Sequence, residues 1–144
     1  MAVHYRIYEQ RLHALLGFWA VVFFGVALVQ VWNPAQLVVW LNNLGFWVHW
    51  SGPTLDLPTN RFYSTLGISL LAVLIALCLA ARRDLRRRMI MVRMLLLAKI
   101  ISTIAYAAAL WWDSWSFAYC AGALADGTVA VWTWMYYRHV RYVV

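Results

Sequence analysis

Seven residues, Arg82-Arg83-Asp84-Leu85-Arg86-Arg87-Arg88, stand between two long apolar runs. Five arginines in so short a stretch cannot sit in hydrocarbon, and they resist being drawn across a membrane. The loop is therefore expected on the cytoplasmic side, and the runs on either side of it are expected to be helices that enter the bilayer there. Composition agrees: 65% of the residues are hydrophobic and 12% charged, against about a quarter charged in soluble domains.

Four runs are long and apolar: Leu12 to Val31, Phe62 to Ala81, Met89 to Leu110 and Phe117 to Tyr137. At 1.5 Å per residue, about 20 residues cover the roughly 30 Å of a hydrocarbon core. Asn33-Pro34 closes the first run, and Gly52-Pro53 with Pro58 marks a turn-rich loop before the second. The stretch 34–52 is shorter and is interrupted by Asn42, Asn43, Gly45 and His49. Gln36, Asn43 and Trp50, spaced by seven with His49 alongside, predict a narrow polar stripe. The predicted architecture is an all-α integral membrane protein over 1–144. Its four transmembrane helices form an antiparallel bundle, and one amphipathic helix after the first span is interfacial or re-entrant.

Charge orients this scheme. With four spans, Arg6, Arg11, Arg82, Arg83, Arg86, Arg87, Arg88, Arg138 and Arg141 share one side and Arg61 stands on the other. Both termini are thus expected in the cytoplasm. Tryptophans (Trp32, Trp40, Trp47, Trp50, Trp111, Trp112, Trp115) gather on the outer side, and Tyr5, Tyr8, Tyr136, Tyr137 and Tyr142 on the inner, as two interfacial belts. No cleavable leader is expected ahead of the first span. The excess of arginine over lysine fits a GC-rich bacterium, hence a bacterial inner membrane. The formal charge of +7 is topogenic; Arg82, Arg83, Arg86, Arg87 and Arg88 are expected to meet anionic lipid headgroups, and no nucleic-acid partner is expected.

Two charges lie deep within the apolar runs. Lys99 stands ten residues into the third run, about 15 Å from its start, too deep to reach water easily. An unpaired lysine there is costly, so a partner at the same depth is required. Asp126, nine residues into the antiparallel fourth run, meets that requirement, and the short link between the runs makes them neighbours. Ser102, Thr103 and Tyr106 lie within helical reach of Lys99. Tyr119, Gly122 and Thr133 share a face with Asp126. These five polar residues are expected to line the pair, and Gly127 to ease close packing. Arg93, one turn inside the third run, can extend to the cytoplasmic surface.

Other chemistry is sparse. Cys78 and Cys120 read as buried small hydrophobes. No metal-ligand spacing, nucleophile elbow or phosphate loop occurs, so no metal site and no enzyme is expected. His13 and His139 stand at cytoplasmic span ends and His49 on the outer segment; these are the only candidates for haem or pigment ligation. Bound lipid is expected and no other cofactor. Trp40, Trp47, Trp50, Trp111, Trp112 and Trp115 form a candidate partner surface, since tryptophan is favoured at interface hot spots.

Three functions follow, in order. The first is a non-catalytic accessory or structural subunit of a larger membrane complex, of an energy-converting kind (electron-transfer or photosynthetic). The second is a small oligomeric proton-coupled transporter using Lys99 and Asp126. The third is a haem- or quinone-binding electron-transfer subunit. No motif is specific enough to identify a family.

Overall fold

The computed structural model describes residues 2–57, 61–85 and 87–141. Arg86 and Tyr142 lie outside the described residues, as do the side chains of Tyr5, Arg6, Arg61 and Arg141. The described residues form five helices and no strand: α1 (Ala2–Trp32), α2 (Pro34–Trp47), α3 (Arg61–Arg83), α4 (Met89–Trp112) and α5 (Phe117–Arg141).

Local chemistry sets the breaks. Proline drives the preceding residue out of the helical region, and Asn33 is extended at φ −147° and ψ 93°. Pro34, lacking an N–H, opens α2 at its first turn, where no donor is needed. Leaving α2, the Trp50 N–H reaches back to the Gly45 carbonyl (2.9 Å) and the His49 N–H to that of Phe46 (3.1 Å). That is a Schellman cap. Its left-handed position is held by His49, at φ 55°. In the arginine loop, the Asp84 side chain accepts the Arg87 N–H (3.2 Å), and its carbonyl accepts the Arg88 N–H (2.9 Å). The one acid in the loop thus folds it.

Helices α1, α3, α4 and α5 form a closed ring in that order, each packed on the next and α5 back on α1. Gly17 faces Arg82 and Gly67 faces Gln30, so α1 and α3 are antiparallel. Contacts of Arg93 with Tyr137, Lys99 with Asp126 and Tyr106 with Gly122 set α4 against α5 in the same sense. Helix α2 lies across α1 and α5 at the end away from the arginines. The tightest core, with Leu12, Leu16, Cys78, Val92, Leu95 and Val140, sits toward the arginine end. Outward faces carry large apolar side chains such as Phe24, Leu70, Ile104 and Val131. In water such faces would associate; lipid tails tolerate them.

The expected count of crossing helices is corrected by composition. Three helices are long and apolar enough to cross a membrane: Ile7–Trp32, Ser64–Arg83 and Met89–Trp112. At 25 residues, α5 is long enough, at about 37 Å. Its apolarity is diluted by Asp126, Arg138 and a series of tyrosines and tryptophans, whose polar tips lower the average.

The amphipathic stripe predicted for 34–52 is also corrected. His49 and Trp50 lie beyond the last turn of α2, in its cap, so they do not extend a row along it. Asn42, rather than Asn43, is the anchoring amide. It donates to the Leu55 carbonyl (2.9 Å) and accepts the Leu55 N–H (3.1 Å), stitching the following loop onto α2. Asn43 is exposed.

Candidate functional site

The spacing argument that matched Lys99 to Asp126 meets its counterpart in the interior of the ring. Lys99 Nζ donates to Asp126 Oδ1 at 2.5 Å, with the two side chains 8% and 16% exposed. Ser102, three residues on and therefore on the same face of α4, donates to Asp126 Oδ2 at 2.5 Å. Both carboxylate oxygens are thus engaged. From the facing helix α1, the Phe23 ring lies 4.7 Å from Lys99 Nζ. Its π face adds a second, weaker attraction for the ammonium. Four side chains from three helices share one satisfied cluster.

The polar residues expected around the pair divide. Thr103 Oγ1 donates to the Lys99 carbonyl (2.7 Å), spending its hydroxyl on its own helix. The Tyr106 ring covers Gly122, where a Cβ would come within 3.1 Å of three ring atoms. A side chain at Gly122, one turn from Asp126, would therefore require the Tyr106 ring to shift by a few tenths of an ångström. At Gly127 a Cβ would lie 3.5 Å from Thr103, an ordinary contact, so packing does not demand glycine there. Tyr119 is drawn away to the α4–α5 link, donating to Asp113 Oδ2 at 2.8 Å. Thr133 is fully buried, and its Oγ1 has no hydrogen-bond partner among the described residues. Neither of these two belongs to the cluster.

The histidines are dispersed. His13 lines a cleft of about 560 Å³ with Glu9, Gln10, Arg82, Arg83 and Asp84 at the arginine end. His139 lies flat on Tyr8, with ring centroids 4.4 Å apart and planes 9° apart. Its Nδ1 stands 2.6 Å from the Met135 carbonyl, and only a protonated Nδ1 can make that bond. His13 faces α3 and His139 faces the start of α1. His49 is exposed in the α2 cap, at the other end. Among the described residues no three His, Cys, Asp or Glu side chains group closely enough to hold a metal ion.

The arginine and tryptophan sets also split. Arg83, Arg87 and Arg88 are exposed, whereas Arg82 folds back so that its guanidinium rests on Gly17 of α1. Trp50 is an internal clasp. Its Nε1 donates to the Trp115 carbonyl (2.7 Å), and its ring meets those of Trp115 and Phe117. A Cβ on Gly52 would overlap the Trp115 carbonyl oxygen, so the loop can pass there only as glycine. Trp32, Trp47, Trp111 and Trp112 remain at least 77% exposed, and Trp40 and Trp115 about half.

Two participants were not anticipated from the residues. Phe23 has no sequence signal for its role, because its facing partner on α4 is far away in the chain. Arg93 does not simply extend outward: its Nε–H donates to the Tyr137 hydroxyl at 2.6 Å. The arginine's position one turn inside α4 was legible; the tyrosine was not.

Comparison with protein-family models, curated proteins and solved structures finds no match to this chain.

Proposed function

We propose that this chain is a four-span membrane protein, both termini cytoplasmic, that serves as a non-catalytic accessory or structural subunit of a larger membrane complex, of an energy-converting kind. The observation that carries this reading is the closure of the interior cluster. Asp126 has one oxygen on Lys99 and the other on Ser102, and the lysine is backed by Phe23. Both carboxylate oxygens are engaged within the ring, and a pair so held suits a role in keeping α1, α4 and α5 in register. The four-span topology is supported by the ring itself, since α5 runs the full length of α4, and by the excess of arginine at one end. The exposed tryptophans of the other end suit a partner surface now that Trp50 is withdrawn from it.

The test is purification in mild detergent followed by mass spectrometry of co-purifying chains. Stoichiometric partner subunits are the expected result. A homo-oligomer with nothing attached refutes the accessory role. It would advance the proton-coupled transporter, for which Asp126→Asn abolishes activity while assembly persists.

A further inference from the structure

We infer that the groove between α4 and α5 near the arginine end is a binding site for one anionic phospholipid, with its phosphate on Arg93. The inference rests on the reading of α4 and α5 as membrane-crossing helices. The groove has a volume of about 290 Å³ and is lined by Arg93, Leu96, Leu97, Ile100, Trp134 and Tyr137. Its single charge is the arginine, and no carboxylate lines it.

Tyr137, itself buried, accepts the Arg93 Nε–H and so fixes the plane of the guanidinium. The four N–H groups on the two Nη atoms have no hydrogen-bond partner among the described residues. They form the planar fork that matches a phosphate diester. Below the arginine, Leu97 and Ile100 continue the same face of α4, four and seven residues on, a run of about 10 Å toward the middle of the helix. Leu97, Ile100 and Trp134 are exposed along this path. A fixed cation above an exposed apolar channel matches a molecule with an anionic head and a hydrocarbon tail. A zwitterionic lipid brings the same phosphate with a second cation, which Arg93 repels and no carboxylate of the groove offsets.

The experiment is native mass spectrometry of the full chain in mild detergent, titrated with phosphatidylglycerol or with phosphatidylcholine of the same acyl chains. The first bound lipid is expected to favour phosphatidylglycerol about tenfold, and Arg93→Gln to remove that preference. Leu97→Trp keeps the charge and the tyrosine bond but fills the channel, and is expected to weaken both lipids by a similar factor. Arg87→Gln with Arg88→Gln, in the exposed loop, is expected to leave the first site unchanged. An unaltered preference in Arg93→Gln, an equal loss in the loop variants, or displacement of the lipid by inorganic phosphate overturns the proposal.

Lipid binding is read on the isolated chain, so its failure does not touch the accessory role, nor does absence of partners touch the lipid site. Labelling of single cysteines at Ser114→Cys and Arg138→Cys, each in a chain with Cys78→Ala and Cys120→Ala, tests the shared premise. Reaction of both from the same side overturns the site.

Discussion

Breaking the Lys99–Asp126 pair from one side should destabilise the protein far more than removing it whole. Lys99→Met leaves Asp126 buried with only the Ser102 hydroxyl to hold its charge. Asp126→Leu leaves the ammonium with only the Phe23 ring. Each single change strands a buried charge, a loss of about 3–5 kcal/mol. In the double variant no charge is stranded, and apolar side chains of similar size fill the space. The combined loss should then be no larger than either single one, a coupling of about 3 kcal/mol or more. Neutral hydrogen bonds between membrane helices average about 0.6 kcal/mol, so a coupling several times larger identifies an ion pair rather than a polar contact. The assay is reversible unfolding in mixed micelles, followed by helix content or tryptophan fluorescence. Additive losses, with the double variant as unstable as the two singles summed, would refute the register-fixing role.

Three further substitutions separate the structure from the residue pattern. Asn42→Ala should cost about 1–3 kcal/mol by opening two bonds to Leu55, while Asn43→Ala should cost less than about 0.5 kcal/mol; the same unfolding assay decides between them. His49→Gly should raise stability by about 1 kcal/mol, because His49 holds a left-handed position that glycine adopts freely; unchanged or lower stability would show that the imidazole makes a compensating contact.

Much of the scaffold was legible because it depends on neighbours in the chain. A proline forces the residue before it out of the helix, so Asn33-Pro34 could be read as a break. The arginine loop marks a helix end whatever surrounds it. Even the Lys99–Asp126 pair follows from counting, since both lie a similar number of 1.5 Å steps from a short link between antiparallel helices. The tertiary structure decided everything that depends on how each helix is rotated and what it faces. Phe23 meets Lys99 from α1, Trp50 reaches Trp115 across 65 residues, and Arg82 turns onto Gly17 while its neighbours face outward. Tyr119 and Thr133 share a face with Asp126 by spacing, yet the link draws one away and the other sits elsewhere in the core. Depth along a helix is a local property and can be counted from the residues. Azimuth is set by the side chains that interlock between helices distant in the chain, and only the assembled ring specifies it.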